Sequence, residues 1–499
     1  MNDLKQILKD VTYTVITGTD EIRVTDLVID SRKAKEGCAF FCFIGANSDG
    51  HDYVKDVIQK GAAVIIIQKD PSEVPGLSKA ADENITVIQT ADTRYALALA
   101  SAQFFDQPAT KMTTIGITGT KGKTSITSFL QTILEKAGHK TGTIGTVGAD
   151  VGGEFIKTET TTPESYDVES FFAKMVENGC EYCVMEVSSQ ALKLNRVAGI
   201  TFDYAIFTNL SPDHIGGAEH KDFEEYVYCK SLLFKQSRIG FFNVDDEQFP
   251  SVSKDATCEI HTFSCHKESD LQAVNIEYLR EGDFIGMSFE TKGLVNDQFK
   301  ISAPGEFSVY NALAALITAQ AIGIDRQIMK EAFLHVQVKG RMEQVKISPK
   351  FTLLIDYAHN AMAMEHILLA MRKYNPKRIV SLFGCGGNRS KLRRFEMGET
   401  SGKYADFSIL TEDNSRLEKC EDIIADIVTG ISKTDGEYII IPDRKEAIKY
   451  SILNAREGDI VLLLGKGHED YQDKNGVKTP FDERVIIREI LEETGYPNE

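Results

Sequence analysis

Residues 113–124 read Thr-Thr-Ile-Gly-Ile-Thr-Gly-Thr-Lys-Gly-Lys-Thr. The apolar run at residues 113–117 is typical of a buried strand, and a helical stretch begins at Lys123. The glycines between them let backbone N–H groups come close to a phosphate, and the start of a helix adds partial positive charge. This order of strand, turn and helix favours a nucleotide-binding loop over a glycine-rich turn with an exposed lysine.

Two side chains of this loop suit phosphate chemistry. Lys123 is expected to reach the β- and γ-phosphates, and Thr124 to bind Mg²⁺. The general pattern G-x-x-x-x-G-K-[ST] requires glycine at position 117, where this chain has Ile117. The match to that pattern is imperfect, so the interpretation depends on the neighbouring strand and helix.

Composition excludes several classes of protein. The chain has 499 residues, of which 42% are hydrophobic and 26% charged, as in a globular protein. Its 56 basic and 74 acidic residues give a net charge of −18, which disfavours binding to a nucleic-acid backbone. The apolar runs are too short to cross a bilayer, and the N-terminus lacks a signal-peptide pattern. We therefore expect a cytoplasmic protein without membrane insertion.

Strand-like and helix-like segments alternate along the chain, which predicts an α/β fold with parallel sheets covered by helices. At about 100–200 residues per domain, the length indicates about three domains. We place them at residues 1–110, 111–336 and 337–499. Residues 258–302 carry short alternating runs, which predict added antiparallel strands. Ligands of such sheets bind beyond the carboxyl ends of the strands, so the chemistry is expected in the polar turns there.

Further motifs flank the phosphate loop in a fixed order. They are Asp30-Ser31-Arg32, Asp49-Gly50-His51, Thr161-Thr162-Pro163, Met185-Glu186-Val187-Ser188-Ser189, Phe207-Thr208-Asn209-Leu210, Asp213-His214, Lys230, Gly340-Arg341, Asp356-Tyr357-Ala358-His359, Asp413-Asn414 and Gly465-Lys466-Gly467-His468-Glu469. Their order and spacing over nearly the whole chain resemble the Mur ligases, the ATP-dependent peptide synthetases of bacterial cell-wall assembly. The phosphate loop of that family lacks the first Walker glycine, so Ile117 fits it.

The resemblance implies a central P-loop ATPase-type domain between an N-terminal UDP-binding domain and a C-terminal Rossmann-like domain that binds an amino acid. It is closest to the Mur ligases that add the third residue to UDP-N-acetylmuramoyl-L-alanyl-D-glutamate. The residues that it implies for ATP are Gly119, Thr120, Lys121, Gly122, Lys123, Thr124, Ser125, Asn311, Arg341, Asp356 and His359. Those implied for the UDP-muramoyl-dipeptide are Ser31, Thr161, Thr162, Ser188 and Arg196. Asn311 and His359 could each instead make ordinary loop and cap hydrogen bonds.

A metal site is expected beside the phosphate loop. Glu186 ends one predicted strand and His214 follows another, so both lie at the same sheet edge, where they suit Mg²⁺ together with Thr124. His214 on its own would be an ordinary loop histidine. Lys230 lies in a helical stretch and by default would be a surface lysine. The resemblance implies that Lys230 carries an N-carbamate that binds Mg²⁺, and that Lys123, His214 and Lys230 are catalytic.

Three polar turns, each after a predicted strand of the last domain, are expected to bind the incoming amino acid. Their residues are Arg389, Asp413, Asn414, Ser415, Arg416, Gly465 and Glu469. Arginines suit a carboxylate and Glu469 suits an ammonium group, although surface salt bridges would use the same residues. Family members that add meso-diaminopimelate typically read Asp-Asn-Pro-Arg here, and those that add lysine usually lack the arginine. This chain keeps Arg416 and has Ser415 in place of proline.

We therefore predict an ATP- and Mg²⁺-dependent ligase that joins meso-diaminopimelate to UDP-N-acetylmuramoyl-L-alanyl-D-glutamate through an acyl phosphate, and that acts as a monomer. One alternative is the same reaction with L-lysine or L-ornithine. A second is a ligase like folylpolyglutamate synthetase, and a third is a non-catalytic nucleotide-binding relative.

Overall fold

The computed structural model describes residues 2–45, 48–212, 215–216, 219–282 and 284–496. The chain divides into two compact units. The first comprises Met1–Phe263 and Ile317–Ile322, and the second comprises Ser264–Leu316 and Gly323–Glu499. In the part of the chain that is described, no helix is both long enough and apolar enough to span a membrane.

The first unit begins with a five-stranded sheet. The strands of this region are β1 (Asn2–Asp3), β2 (Tyr13–Thr17), β3 (Arg23–Val24), β4 (Leu27–Val28), β5 (Ala39–Phe41), β6 (Val64–Ile67) and β7 (Thr86–Thr90). The order is β2-β7-β6-β5-β4, in which β4 to β7 pair in parallel and β2 is antiparallel. Successive side chains of a strand point to opposite faces, so Phe40 and Phe41 enter different hydrophobic cores. Both faces of this sheet are therefore covered.

A second sheet of the first unit contains the phosphate loop. Its strands are β8 (Thr113–Thr118), β9 (Thr141–Ile144), β10 (Ala149–Asp150), β11 (Phe155–Ile156), β12 (Tyr182–Glu186), β13 (Phe202–Phe207), β14 (Ser237–Asn243) and β15 (Glu259–Ser264). They lie in the order β11-β10-β9-β12-β8-β13-β14-β15, and the pairs from β9 to β15 are parallel. Because parallel strands end at one edge, the residues after β8, β12 and β13 meet there.

The helices of the first unit pack on these sheets. They are α1 (Leu4–Ile7), α2 (Val54–Gln59), α3 (Lys79–Asp82), α4 (Thr93–Phe104), α5 (Lys123–Lys136), α6 (Ser165–Glu177), α7 (Ser189–Lys193), α8 (Phe223–Ser231) and α9 (Phe249–Ser253). Helix α6 buries a carboxyl group, since Glu169 is only 2% exposed. Its Oε2 has no hydrogen-bond partner among the described residues, and burial raises the pKa of Glu169 to about 8.

The second unit begins with an antiparallel meander followed by two helices. These elements are β16 (Leu271–Glu281), β17 (Phe284–Gly293), β18 (Asp297–Ile301), α10 (Glu306–Ile322), of which Ile317–Ile322 count with the first unit, and α11 (Arg326–Phe333). The prediction of antiparallel strands over residues 258–302 is thus right from β16 onwards and wrong for β15, which is parallel to β14. Alternation of polar and apolar residues indicates a strand with one exposed face. It does not indicate whether the neighbouring strand is parallel or antiparallel.

A six-stranded sheet forms the rest of the second unit. Its strands are β19 (Glu343–Val345), β20 (Thr352–Asp356), β21 (Arg378–Phe383), β22 (Phe407–Leu410), β23 (Tyr438–Ile440) and β24 (Asp459–Leu464). They lie in the order β19-β20-β24-β21-β22-β23, all parallel except β19. The remaining elements are α12 (Ala361–Arg372), α13 (Lys391–Tyr404), α14 (Cys420–Ile431), α15 (Arg444–Leu453), the hairpin β25 (Tyr471–Lys474) and β26 (Val477–Pro480), and α16 (Glu483–Thr494). The predicted α/β fold class is confirmed.

Candidate active site

The phosphate loop connects β8 to α5, as predicted. Gly119 and Gly122 have φ angles of 149° and 91°, a region that residues with side chains rarely adopt. A Cβ atom on Gly119 would lie 1.8 Å from the Thr208 hydroxyl oxygen. Glycine at position 119 is therefore required by the close approach of the turn after β13.

Asn209, in that turn, holds the loop in its conformation. The Thr120 N–H donates to the Asn209 carbonyl oxygen at 2.8 Å, and the Lys121 N–H donates to Asn209 Oδ1 at 3.0 Å. Thr124 and Ser125 lie half-buried in the first turn of α5. The loop is thus shaped by the protein itself, which lowers the entropic cost of binding a phosphate.

Two lysine side chains contact one backbone carbonyl in this loop. Lys123 Nζ donates to the Gly119 oxygen at 2.8 Å, and Lys230 Nζ donates to the same oxygen at 2.9 Å. Lys230 is only 2% exposed, and its Nζ lies 4.7 Å from the centroid of the Tyr226 ring. Lys230 is therefore a buried residue beside the phosphate loop and not a surface lysine.

Glu186 ends β12 at the same sheet edge and is 1% exposed. Its Oε1 accepts the Thr146 N–H and its Oε2 accepts the Thr146 hydroxyl, both at 3.0 Å. The Thr146 hydroxyl also lies 3.1 Å from that of Thr161. His214 and the preceding Asp213 lie outside the described residues, within which no three His, Cys, Asp or Glu side chains form a metal cluster.

Four of the five residues predicted for the UDP-muramoyl-dipeptide, all except Ser31, lie together near Glu186. The Thr162 hydroxyl donates to the Glu186 carbonyl oxygen at 2.8 Å and accepts the Ser188 N–H at 3.0 Å. Ser188 is also the N-cap of α7, because its Oγ accepts the Ala191 N–H. Arg196 donates to the Thr162 carbonyl oxygen at 3.0 Å. These hydrogen bonds fix the positions of the threonine, serine and arginine side chains.

A carboxylate that sequence analysis missed joins this group to helix α4. Glu164 Oε1 accepts Arg196 Nε at 3.0 Å, and Glu164 Oε2 accepts Arg94 at 3.1 Å. Arg94 in turn stacks over the Phe43 ring, with its guanidinium carbon 4.3 Å from the ring centroid. Glu164 therefore holds two arginines at fixed positions.

Arg94 and Ser31 line one cavity of about 500 Å³. Its walls are formed by Ile29, Asp30, Ser31, Arg32, Phe40, Phe43, Gly45, Ser48, Gly50, Tyr53 and Arg94. Hydrogen bonds from Arg32 lower the pKa of Asp30 to about 2. The neighbouring His51 is fully buried, with Nδ1 2.6 Å from Asp49 Oδ1, so its side chain has a structural role.

In the second unit, Asp356 is buried at the end of β20. Its Oδ2 accepts the Met342 N–H and its Oδ1 accepts the Ala358 N–H, both at 2.8 Å. Burial raises the pKa of Asp356, and the positive charge of Arg341 opposes that effect. The Arg341 guanidinium carbon lies 5.0 Å from the centroid of the Tyr357 ring. Asp356 and Arg341, both predicted to serve nucleotide binding, thus lie close enough for their charges to interact.

Tyr357 and His468 were not among the predicted site residues, although both lie in the motifs quoted. The Tyr357 ring centroid lies 4.8 Å from that of His359 and 4.6 Å from that of His468. Burial, together with the nearby cationic side chains, lowers the pKa of His468 to about 4. Asn311 is buried on α10. The Tyr357 ring therefore packs against His359, which was predicted for the site, and against His468, which was not.

The turns after β22 and β24 form a charged cluster around Lys466, which the sequence analysis also missed. Lys466 is fully buried, and its Nζ lies 3.1 Å from Glu469 Oε2, 3.3 Å from Asn414 Oδ1 and 3.6 Å from Asp413 Oδ1. Asn414 Nδ2 also donates to Glu469 Oε2 at 2.9 Å. Gly465 has a φ of 106°, and a Cβ there would lie 3.2 Å from Asp413 Oδ2. A buried ammonium group needs these acceptors.

The two predicted arginines border the same cluster. Arg416 donates to the Gly387 carbonyl oxygen at 2.7 Å. A Cβ on Gly386 would lie 3.6 Å from an Arg416 guanidinium nitrogen and 3.7 Å from Arg389 Cγ. Arg389 is exposed, and Ser415 is buried with its hydroxyl donating to Glu412 Oε1 at 2.8 Å. The predicted amino-acid residues are thus brought together at the ends of β21, β22 and β24.

Comparison with known proteins identifies the class to which this fold and site belong. Residues 23–104 match the Mur ligase family catalytic domain, residues 117–319 the Mur ligase middle domain, and residues 340–467 the Mur ligase glutamate ligase domain. The chain belongs to the Mur ligase family, whose members are ATP-dependent amino-acid ligases. The predicted family and enzyme class are confirmed.

Similar proteins carry a more particular name. The chain is 41% identical over 493 residues to UDP-N-acetylmuramoyl-L-alanyl-D-glutamate–2,6-diaminopimelate ligase 1 of Clostridium acetobutylicum, covering 98% of this chain and 99% of the relative. It is also 41% identical over 492 residues to the ligase of that name from Caldanaerobacter subterraneus, with 98% and 99% covered. A solved structure with that enzyme name matches at a TM-score of 0.73 and 25% identity, with 99% and 100% covered.

A more distant structure bears on the alternative of a folylpolyglutamate synthetase. The Mycobacterium tuberculosis folylpolyglutamate synthase matches at a TM-score of 0.57 and 15% identity, covering 75% of this chain and 92% of that chain. At that identity the match shows a shared fold alone. It therefore gives no support to that alternative activity.

Proposed function

We propose that the chain joins meso-diaminopimelate to UDP-N-acetylmuramoyl-L-alanyl-D-glutamate and converts ATP to ADP and phosphate. The observation that carries the proposal is the similarity, over 98% of the chain, to relatives named for that reaction. The turns after β22 and β24 support it, because Arg416, Asn414 and Glu469 suit the carboxylate and ammonium groups of an amino acid with two such ends. We place this activity in the MurE branch of the family.

The D-glutamyl carboxylate is a poor electrophile, so it must be activated before an amine can attack it. A side-chain carboxylate oxygen of the D-glutamyl residue attacks the γ-phosphorus, the bond to the β-phosphate oxygen breaks, and ADP leaves. The amine of the incoming amino acid then attacks the acyl carbon, loses a proton, and expels inorganic phosphate. Lys123, in the first turn of α5, is the residue that we propose to neutralise the γ-phosphate oxygens during transfer.

The donors present at the sheet edge fit a Mg²⁺ ion. Glu186 supplies a buried carboxylate and Thr124 a hydroxyl, and we propose His214 and a modified Lys230 as further ligands. When bound, Mg²⁺ would draw charge from the phosphate oxygens. Thr146 holds both oxygens of the Glu186 carboxylate, which orients that group.

The contact of two lysines with one carbonyl supports a modification of Lys230. Two ammonium groups that donate to the same Gly119 oxygen repel each other, and Lys230 is buried. Loss of a proton leaves Lys230 a neutral amine, which can attack the carbon of CO₂. An N–C bond forms, one C=O bond of CO₂ becomes a single C–O⁻ bond, and a second proton leaves the nitrogen to solvent, which gives the carbamate anion. We propose that this anion is the functional form, because it would be attracted to Mg²⁺ and to Lys123 where an ammonium would be repelled.

The remaining predicted residues receive proposed roles from their positions. We propose that the cavity with Ser31 takes the UDP group and that Arg94 adds a cation for its diphosphate. Thr161, Thr162, Ser188 and Arg196 would then contact the muramoyl-dipeptide. We further propose that Asn311, Arg341, Asp356 and His359 serve nucleotide binding, as the family resemblance implies.

The domain roles and cellular setting belong to the same proposal. Residues 1–110 would bind the UDP-sugar, residues 111–336 ATP, and residues 337–499 the amino acid. Both nucleotide substrates occur inside cells, so we propose that the protein works in the cytoplasm, and as a monomer. Light scattering of the purified protein tests the monomer.

Phosphate release, measured with ATP, Mg²⁺ and UDP-N-acetylmuramoyl-L-alanyl-D-glutamate, tests the proposed reaction. Meso-diaminopimelate, L-lysine and L-ornithine are added in turn, and we expect meso-diaminopimelate to give the highest kcat/KM. Higher kcat/KM with L-lysine would refute the assigned amino acid and keep the ligase. Release with folate and glutamate, but with none of these three, would refute the whole reaction.

A further inference from the structure

We propose that the hairpin β25–β26 is a positioning element that holds Arg416 for recognition of the incoming amino acid, and that the Glu412–Lys474 ion pair fastens this hairpin. The inference rests on the proposed function, since it concerns the selectivity of that same pocket. Glu412 and Lys474 act through Arg416 and need not touch the substrate. They are therefore positioning residues.

The hairpin has a tight turn but little support of its own. Asn475 and Gly476 connect the two strands and have φ angles of 53° and 75°. Two successive positive φ angles in an Asn-Gly pair are typical of the two-residue turn that joins antiparallel strands. An isolated two-stranded ribbon is only marginally stable in water. The hairpin therefore depends on contacts with its surroundings to stay in place.

Two main-chain hydrogen bonds join the hairpin to Arg416. The Arg416 N–H donates to the Asp473 carbonyl oxygen at 2.9 Å, and the Asn475 N–H donates to the Arg416 carbonyl oxygen at 2.5 Å. Arg416 has a φ of 52°, in the left-handed region that residues with side chains rarely adopt. The hairpin thus stabilises an unfavourable backbone conformation at the residue that we propose to recognise the substrate carboxylate.

Side chains fasten the hairpin to the same turn. Glu412, which is 6% exposed, accepts hydrogen bonds from Ser415 Oγ at 2.8 Å and from Gln472 Nε2 at 3.3 Å, and it forms an ion pair with Lys474. The Asp473 N–H donates to Asn414 Oδ1 at 2.9 Å. Glu412 therefore links the hairpin to the turn that contains Arg416, because it contacts Ser415 in that turn and two residues of β25.

The orientation of the Arg416 side chain depends on these contacts of the hairpin. Its guanidinium donates to the Gly387 carbonyl oxygen at 2.7 Å, which requires the backbone of Arg416 to stay where it is. If the hairpin separates, the left-handed conformation loses its two stabilising hydrogen bonds and relaxes. Recognition of a carboxylate would then weaken, while nucleotide chemistry in the first unit would continue.

Lys474→Met is the variant that tests the ion pair, because the Lys474 side chain is 47% exposed and its removal opens no core. We expect the KM for meso-diaminopimelate to rise about tenfold, with kcat and the KM for ATP changed by less than about twofold. Lys478→Met is the matched control, since that exposed lysine lies on the other strand of the hairpin. The control should keep the wild-type KM.

Glu412→Gln keeps the shape of the side chain and removes its charge. We expect it to raise the KM for meso-diaminopimelate about tenfold, as in Lys474→Met. In the double variant, the KM for meso-diaminopimelate should be at most about twofold higher than in either single variant, because the two substitutions remove the same ion pair. In Lys474→Met, amide hydrogen exchange of the peptide covering residues 412–418 should be faster than in the wild type and in Lys478→Met.

An unchanged KM for meso-diaminopimelate in Lys474→Met and Glu412→Gln, or unchanged exchange of residues 412–418, would overturn the inference. Equal increases in the KM values for ATP and meso-diaminopimelate would also overturn it, since they indicate general damage. Failure of the proposed function would look different. In that case the wild-type protein itself would release no phosphate with meso-diaminopimelate, and the inference would fall with the function.

Discussion

Replacing Glu169 with glutamine should stabilise the protein at neutral and alkaline pH while leaving its stability near pH 4.5 almost unchanged. The carboxyl group is 2% exposed on α6, and burial raises its pKa from 4.5 to about 8. Between these values the folded protein keeps a proton that the unfolded chain releases. The wild type is therefore most stable below about pH 4.5 with respect to this group, and it loses stability as the pH rises through 8.

The size of the effect follows from the two pKa values. Each pH unit between 4.5 and 8 corresponds to about 1.4 kcal/mol in the free energy of unfolding. The total is on the order of 5 kcal/mol at and above pH 8, and about 3 kcal/mol at pH 7. Glutamine has a similar shape and carries no charge, so the variant avoids this loss. At pH 7 the melting temperature should rise by roughly 5–10 °C.

Thermal unfolding of the wild type and Glu169→Gln at several pH values from 4.5 to 8.5 measures the difference. Glu177→Gln, which removes an exposed carboxylate at the end of the same helix, is the control and should show no such trend. A gain in melting temperature that is the same at pH 5 and pH 8 would refute the reasoning, because it would show that the carboxyl group does not change its protonation on unfolding.

Three further predictions concern the proposed site. Lys123→Ala should lower phosphate release by about 10²–10³-fold with an unchanged melting temperature, and near-normal turnover would contradict its role. Lys230→Ala should be inactive and partly restored by added short carboxylates, and native mass spectrometry should find one added CO₂ on the wild type but not on the variant. Full activity of Lys230→Ala would remove the carbamate from the mechanism. Arg416→Ala should lower kcat/KM for meso-diaminopimelate roughly 30- to several-thousand-fold and leave the KM for ATP within about twofold, and equal losses with L-lysine would contradict carboxylate recognition.

The parts of the site that sequence analysis predicted are those with a local signal. The phosphate loop is contiguous, and its strand, glycines and helix are all visible within residues 113–124. The three turns of the amino-acid pocket also follow visible strands. Their convergence could be expected because parallel strands end at one edge.

The parts that sequence analysis missed depend on contacts between distant segments. Arg94 and Glu164 are 70 residues apart, and nothing local to either one predicts their ion pair. The burial of Lys466 follows from acceptors on a different turn, and lysine is by default a surface residue. Ser415, which stands where proline is typical, shows the same difficulty, because nothing in the sequence around it predicts that its hydroxyl donates to Glu412.

The position of β24 has a consequence for how each new molecule is made. This strand is the last of the six-stranded sheet to be synthesised, yet it pairs between β20 and β21, which the ribosome releases much earlier. Until residue 464 has emerged, β20 and β21 have no partner on their facing edges. Unpaired apolar edges of this kind favour association with other chains. Completion of the C-terminal sheet is therefore a late event of translation, and a nascent chain that stops before Asp459 leaves the middle of the sheet open.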